Sequence, residues 1–157
     1  MLDAPFRKGY SPKMLFSTAT AYALQALAAL PEDGSYTLAK DLSEELKLPG
    51  PYLAKILQTL AQTSILESLR GPKGGFRMAR PAHRITVGDV VDAMEGPEAF
   101  SGCVMGFPEC GGENPCPLHD AWSQVKAHMD SSMTQSTIRD LQLVRLRHES
   151  TRDAKKN

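Results

Sequence analysis

Cysteine is scarce in this chain, and so are long apolar runs. An odd count of three thiols among 157 residues argues against the disulfide framework of a small secreted domain. No apolar run reaches the roughly 18 residues that a membrane-spanning helix needs. The first residues, MLDAPFRKGYSPK, lack the apolar centre of a secretory signal peptide. We therefore expect a cytoplasmic protein with reduced thiols and no membrane partner.

The sequence also lacks net charge and catalytic motifs. Its 18 basic residues balance 18 acidic ones, but five basic and no acidic residues lie between 68 and 88. Seven acidic residues and no lysine or arginine lie between 85 and 125. The basic segment is rich in turn residues, which favours contact with a polyanion over a merely solvated face. Neither a nucleotide-binding loop nor a candidate general base occurs, so we expect no enzyme.

Leucine and alanine dominate the 41% of residues that are hydrophobic, which favours a helix-rich core. We expect Ser17 to cap a first helix that ends before Pro31, and Thr37 to cap a second. Pro51 fits the first position of a third helix. The apolar residues of this third helix share one face: Leu53, Ile56, Leu57 and Leu60. Two short helices joined by a tight turn are typical of a helix-turn-helix, whose second helix can enter the major groove of DNA.

A basic hairpin is predicted directly after these helices. Residues 65–69 and 76–78 read as strands around the turn RGPKGG, whose proline and glycines favour a hairpin. In this position the hairpin is typical of a wing, whose tip can reach a minor groove or backbone phosphates. The predicted fold is therefore mainly α with a small two-stranded β wing: a winged helix-turn-helix plus a long dimerisation helix.

The dimerisation helix is predicted over residues 117–133. A fourth helix precedes it, capped by Thr86 with Asp89 and stopped by Gly96. The long helix has a narrow apolar seam: Trp122, Val125, Met129 and Met133. Because little chain remains to cover this seam, we expect it to meet a second copy in a homodimer. The alternative is packing against the first helix of the same chain.

These elements divide the chain into six parts. We expect a flexible N-terminal arm over residues 1–13, a winged helix-turn-helix DNA-binding domain over 14–84 and a linking helix over 85–101. A cluster-binding loop over 102–119, a dimerisation helix region over 120–145 and a disordered tail over 146–157 follow. Met14 offers an alternative translation start.

All three cysteines lie in one glycine-rich loop with the spacing C-x6-C-x5-C-x2-H. The predicted metal ligands are Cys103, Cys110, Cys116 and His119. Thiolates are soft ligands that suit iron–sulfur clusters or zinc, and imidazole suits both. The set can therefore hold a cluster, close a tetrahedral zinc site or act as a thiol redox switch. The gaps between the cysteines are wider than zinc sites favour, which supports the cluster.

The order of these motifs resembles the IscR/NsrR family of bacterial winged-helix regulators over residues 14 to about 143. The matching segments are residues 21–24, 52–53, 68–76 and 85–91, followed by the three cysteines before His119 and Trp122. The resemblance implies a homodimeric transcription factor, usually a repressor, that binds double-stranded operator DNA. It also implies an iron–sulfur cluster that reports iron–sulfur, redox or nitric oxide status.

The resemblance further implies the type of cluster. IscR-like members hold a [2Fe–2S] cluster with three cysteines and a histidine, which the four predicted ligands match in order, with the first gap one residue longer. Some NsrR-like members hold a [4Fe–4S] cluster with an aspartate from the first helix, at the position of Ala21, which has no ligand atom. A [2Fe–2S] cluster is therefore expected, with [4Fe–4S] or zinc as alternatives.

The same resemblance places three residues at the DNA: Tyr52, Lys55 and Arg70. Gln58, on the exposed face of the third helix, and Lys73, at the wing tip, complete the predicted DNA-binding set. Ala54 stands where IscR-like members have an acidic residue that helps to select the DNA sequence, so we expect a different operator preference. The alternative for each of these side chains is ordinary packing or solvation.

Overall fold

The computed structural model describes the backbone of residues 15–154 and the side chains of residues 15–151. Within that part of the chain, six α-helices, a short 3-10 helix and one two-stranded sheet follow one another. The elements are α1 (Thr18–Ala29), α2 (Ala39–Leu46), α3 (Gly50–Gln62), β1 (Leu66–Leu69), β2 (Gly75–Met78), the 3-10 helix (Ala82–Arg84), α4 (Val87–Glu95), α5 (His119–Gln135) and α6 (Ile138–Ala154). The predicted fold class is confirmed.

The hydrophobic core lies where α1, α2 and α3 meet. The predicted apolar face of α3 is buried along its whole length, and Leu27 of α1 and Leu42 of α2 are fully buried against it. Ile85 and Val90 from the region of α4, and Ile138 from α6, complete the same core. Burial of such side chains is the main source of stability in a domain of this size. It fixes the direction in which the opposite, polar face of α3 points.

The wing is an antiparallel hairpin in which Leu66 pairs with Met78 and Leu69 with Gly75. Thr37 attaches it to the segment before α2, because Thr37 and Phe76 exchange two backbone hydrogen bonds of 2.9 and 2.8 Å. The prediction that Thr37 caps α2 is therefore wrong. The N-cap residue is Leu38, which supplies no side-chain hydrogen bond. The backbone of Thr37 is committed to the strand-like bridge with the wing instead.

Helix α4 begins as predicted. The Thr86 hydroxyl accepts from the Asp89 backbone at 3.0 Å, and the Asp89 carboxylate accepts from the Thr86 backbone at 2.9 Å. The helix ends at Glu95, and the predicted stop residue Gly96 is its C-cap, with a φ of 90°. The cysteine loop follows directly from this end of α4.

The C-terminal region differs from the prediction. Helix α5 lies two residues further along the chain than the helix predicted over residues 117–133, and after a break at Ser136 a second long helix, α6, continues through Ala154. A disordered tail over 146–157 is therefore wrong up to residue 154, and residues 155–157 lie outside the described part. Gln142 anchors α6 to α1 by donating to the Leu30 carbonyl at 3.1 Å. The Arg145–Glu149 pair, one helical turn apart, favours continuation of the helix.

The predicted arm over 1–13, and Met14, also lie outside the described residues.

Glu95, the last residue of α4, joins that helix to the start of α1. Its carboxylate accepts from the Thr20 hydroxyl at 2.5 Å and from the Ser17 backbone at 2.8 Å. These hydrogen bonds, with the Thr20 hydroxyl first, lower the pKa of Glu95. The carboxylate also lies at the positive end of the α1 dipole. The contact therefore stabilises the folded chain only while Glu95 is ionised.

We expect Glu95→Ala to lower the free energy of unfolding at pH 7 by about 1 kcal/mol, because a partly exposed charged acceptor is removed. The folded-state pKa is depressed, so this contribution is present above the unfolded value of 4.5 and is lost as pH falls through the folded value. Urea unfolding of both proteins between neutral and acidic pH should show the difference shrinking in acid. Glu98→Ala, which removes an exposed acid next to the same helix, is the control. A pH-independent difference would contradict this account.

Candidate metal centre and nucleic-acid interface

The cysteine loop joins α4 to α5 and has no regular secondary structure beyond one bridge. Gly111 and Asn114 form that bridge, with the Asn114 backbone donating to the Gly111 carbonyl at 2.9 Å. Gly111 has a φ of 131°, a conformation that suits glycine. The tight turn brings the segment after Cys110 back towards Cys116.

The three cysteine sulfur atoms converge. All of them lie within 4.8 Å of one another, and the Sγ atoms of Cys103 and Cys116 are 3.6 Å apart. Each cysteine is a free thiol and is partly buried. Residues separated by up to thirteen positions thus meet at one point, which is the arrangement that a multidentate metal site requires.

Backbone N–H groups point at the sulfur atoms. The Met105 backbone donates to Cys103 Sγ at 3.4 Å, and the Cys116 backbone donates to Cys110 Sγ at 3.3 Å. The N–H groups of Phe107 and Met105 lower the pKa of Cys103 to about 7, because they stabilise the thiolate. Removal from water raises the pKa of the Cys116 thiol. The loop therefore favours the thiolate, which is the form that binds metals, at Cys103.

His119 is the first residue of α5 and lies against Cys110. Its Nδ1 atom is 3.3 Å from Cys110 Sγ, and its backbone donates to the Cys116 carbonyl at 3.0 Å. A Cβ atom on residue 111 would lie 3.1 Å from the His119 ring, so Gly111 leaves the room that the imidazole occupies. His119 lies outside the group of atoms within 4.8 Å of one another, although it lies beside one member of that group.

The chemistry of these donors fits a soft metal centre. Three thiols and one imidazole are ligands of both iron–sulfur clusters and zinc. Backbone N–H groups directed at sulfur are the contacts that tune cluster potentials. The three cysteines are close enough to bind a metal.

A second surface lies on α3 and the wing, where the predicted DNA-binding side chains are exposed: Tyr52, Lys55, Gln58, Arg70 and Lys73. Tyr52 is 42% exposed, and its ring makes an edge contact with Tyr22 at a centroid distance of 6.0 Å. One side of the ring is thus held by α1 while the other faces solvent. The structure presents the five residues on the helix opposite its buried face and on the hairpin that follows it.

Two cations of the basic segment are already paired. Arg77 contacts Glu67 at 2.7 Å and stacks over Tyr36 at 4.7 Å from the ring centroid. Arg80 contacts Asp89 at 3.0 Å. The sequence pattern did not separate these structural arginines from Arg70 and Lys73, because their partners are distant in sequence or on another element.

The predicted dimerisation seam lines an open groove. No residue of α5, which is described over its full length, is buried. The groove has a volume of about 380 Å³ and is lined by apolar side chains that include Phe100, Trp122, Val125, Met129 and Met133. The alternative, in which α1 of the same chain covers the seam, does not match this arrangement.

Two side chains of α5 contact the loop in a way that the apolar pattern did not predict. Trp122 Nε1 donates to the Gly102 carbonyl at 2.9 Å, and Lys126 Nζ donates to the Ser101 carbonyl at 3.1 Å. The only feature of the sequence that relates Trp122 to Lys126 is their spacing of four residues, which places them on one face of a helix.

A winged helix-turn-helix joined to a cysteine loop and a long exposed helix defines a DNA-binding transcriptional regulator. The chain belongs to the Rrf2 family, described as iron-dependent transcriptional regulators, which matches residues 16–143. The resemblance inferred from the sequence motifs is thereby confirmed at the level of the family.

Named relatives agree with this assignment. A protein of Aquifex aeolicus described as an HTH-type transcriptional regulator is 29% identical over 138 residues, covering 86% of this chain and 96% of its own length. The HTH-type transcriptional regulator IscR of Yersinia pseudotuberculosis is 30% identical over 110 residues, covering 70% of this chain and 66% of its own length.

Solved structures have the same fold. CymR, the global cysteine regulator of B. subtilis, superposes with a TM-score of 0.71 at 22% identity, over 83% of this chain and 98% of its own. IscR of T. potens superposes with a TM-score of 0.64 at 25% identity, over 82% of this chain and 86% of its own. Across the described residues, every helix is too short or too polar to cross a membrane.

Proposed function

We propose that this chain is a transcriptional repressor that senses iron–sulfur, redox or nitric oxide status through a [2Fe–2S] cluster. The observation that carries the proposal is the convergence of three cysteine sulfur atoms within 4.8 Å, with His119 Nδ1 3.3 Å from one of them.

Cys103, Cys110, Cys116 and His119 would hold the cluster. When bound, it would supply a redox-active and nitric-oxide-reactive centre whose potential an imidazole ligand raises relative to a fourth thiolate. The residues themselves order the loop: Cys110 accepts from the Cys116 backbone, and His119 begins α5. A change at these four side chains is therefore transmitted directly to α5.

We propose that α5 pairs with α5 of a second copy. Its apolar seam is open along the groove at Trp122, Val125 and Met129, and two-fold dimers are the commonest assemblies of helix-turn-helix proteins. A dimer would set the distance between two copies of α3. Movement of α5 would then alter how well both copies fit their half-sites.

The test of this function couples metal content to DNA binding. Operator sequences are selected from random duplex DNA with anaerobically prepared protein, and the affinity is then measured with and without the cluster. We expect the affinities of the two forms for a selected operator to differ at least about tenfold, and Cys103→Ala protein to behave as the metal-free form. Equal affinity of all three preparations for every selected operator would refute the coupling.

The proposed DNA surface makes a quantitative prediction. Lys55→Ala and Arg70→Ala should each reduce the slope of log affinity against log salt concentration by about one, because each removes a cation that neutralises one phosphate. Arg147→Ala, an exposed cation on α6, is the matched control and should leave the slope unchanged. Fluorescence anisotropy across a salt series measures all three. Unchanged slopes for both Lys55→Ala and Arg70→Ala would place the DNA elsewhere.

A second candidate function is a thiol switch without a cluster. It is favoured by the 3.6 Å separation of the Cys103 and Cys116 sulfur atoms. Hydrogen peroxide would take two electrons and two protons from the two thiols, forming the Cys103–Cys116 disulfide and two waters.

This switch predicts that peroxide treatment of metal-free protein lowers its mass by about two units for each disulfide and changes its DNA affinity. Cys116→Ser should abolish both changes, whereas Glu113→Ala, in the same loop, should retain them. Peptide mapping by mass spectrometry identifies the bond. Oxidation that stops at single cysteines, with no disulfide, would exclude this candidate.

A further inference from the structure

The arm of the cysteine loop that leads into Cys103 is tied to α5 by two side chains. Trp122 Nε1 donates to the Gly102 carbonyl at 2.9 Å. Lys126 Nζ donates to the Ser101 carbonyl at 3.1 Å. The two acceptors are consecutive carbonyls immediately before Cys103, and the two donors lie one helical turn apart on the same face of α5.

The same helix also contacts the other arm of the loop. His119, at the start of α5, donates its backbone N–H to the Cys116 carbonyl at 3.0 Å. Helix α5 thus supports both arms of the loop. Its first residue contacts the arm that contains Cys116, and Trp122 and Lys126 contact the arm that leads into Cys103. The distance between the two sulfur atoms then depends on how firmly each arm is held to this one helix.

Two other contacts on the Cys103 arm hold different atoms. Phe100 makes an edge contact with Phe16 at a centroid distance of 5.9 Å, and Ser101 donates its hydroxyl to the Glu98 carbonyl at 2.8 Å. Neither contact involves the Ser101 or Gly102 carbonyl, which Lys126 and Trp122 hold. Without those two donors, the backbone at Gly102 would be free to rotate, because glycine has little conformational restriction.

We propose that Trp122 and Lys126 are positioning residues that hold Cys103 beside Cys116, so that the thiols converge before any metal arrives. The inference deepens the proposed function, since it concerns the same loop, but it applies to the metal-free chain. It assigns the indole N–H of Trp122 a role within the chain, while the apolar face of the ring remains in the groove of α5. It also assigns a structural role to a lysine near an otherwise acidic loop.

The test measures how close Cys103 and Cys116 are held in metal-free protein. In a Cys110→Ser background only these two thiols remain, and the hydroxyl can still accept from the Cys116 backbone. Oxidised glutathione is attacked by one thiolate, releasing reduced glutathione and leaving a mixed disulfide. The second thiol displaces a second reduced glutathione and closes the protein disulfide. The equilibrium constant of this exchange gives the effective concentration of one thiol towards the other.

Trp122→Phe removes the N–H donor and keeps most of the ring, and Lys126→Met removes the ammonium and keeps most of the chain length. We expect each to lower the effective concentration about three- to tenfold, because each removes one net hydrogen bond that orders the arm. Gln124→Ala, an exposed change on the same helix, is the control and should have no effect. Far-ultraviolet circular dichroism verifies that each variant is folded.

An effective concentration that is unchanged in both Trp122→Phe and Lys126→Met would overturn the proposal. If Trp122→Phe does not fold, Lys126→Met decides alone. Because no metal is present, this result is independent of whether the chain binds a cluster. The two proposals can also fail separately. If the unchanged chain, isolated without oxygen, is colourless but both variants still lower the effective concentration, the proposed cluster is refuted and the positioning role stands.

Discussion

Cys110→Ala protein, isolated without oxygen, is expected to contain less than about a tenth of the iron of the unchanged chain. The thiol of Cys110 lies between the other donors: it accepts from the Cys116 backbone at 3.3 Å and lies 3.3 Å from His119 Nδ1. Its removal takes away one soft ligand and the group that orients two others. Iron and acid-labile sulfide per chain, with the visible spectrum, measure the effect.

Two further variants make this prediction specific. Glu113→Ala removes an exposed acid from the same loop and should leave the iron content unchanged. His119→Ala leaves the three thiols in place, so we expect a bound but labile cluster, lost faster to a chelator than in the unchanged chain. Full iron content in Cys110→Ala would show that the metal is held elsewhere.

Gly75→Ala is expected to destabilise the fold by about 2–5 kcal/mol, since backbone strain and overpacking add. Gly75 begins β2 with a φ of 127°, and an added Cβ would collide with the carbonyl oxygen of Thr37. That carbonyl accepts from the Phe76 backbone at 2.8 Å. Relief of the collision therefore requires the wing to separate from the segment before α2. Urea unfolding measures the decrease in the free energy of unfolding.

Gly71→Ala provides the matched control for this wing variant. Gly71 also has a positive φ, of 111°, but a Cβ there would meet nothing within 4 Å. We expect a cost of only about 1–2 kcal/mol, from the strained backbone alone. Equal decreases for the two variants would mean that the contact with Thr37 does not hold the wing.

Local patterns in the sequence predicted most of the fold. The apolar spacing along α3 predicted its buried face because helical periodicity is a property of neighbouring residues. Thr86 and Asp89 predicted the start of α4 for the same reason, since a capping box lies within one turn. Each of these signals involves residues within a few positions of each other.

Features that depend on distant contacts could not be predicted in this way. Threonine is a residue type that often caps helices, but the backbone of Thr37 forms a bridge with Phe76, which is distant in sequence. Residues 146–154 are polar, as a disordered tail would be, yet they continue α6. The earlier part of that helix is fixed to the core by Gln142, which donates to the Leu30 carbonyl. In both cases a tertiary hydrogen bond overrides the local preference.

The candidate site shows the same division. The sequence predicted a metal site at the three cysteines, whose sulfur atoms lie close enough to bind a metal, because ligand type depends on the residues alone. The role of His119 as a fourth ligand stays a prediction. The convergence of the sulfur atoms and the hydrogen bonds from Trp122 and Lys126 depend on how the loop folds over α5. Neither the convergence nor the hydrogen bonds could be predicted from residue spacing.

The most direct test of the central claim is metal analysis of the full chain after anaerobic isolation. A [2Fe–2S] cluster would give visible absorption, with iron and acid-labile sulfide in equal amounts, about two of each per chain. A colourless protein that contains about one zinc per chain, or no metal at all, would contradict it.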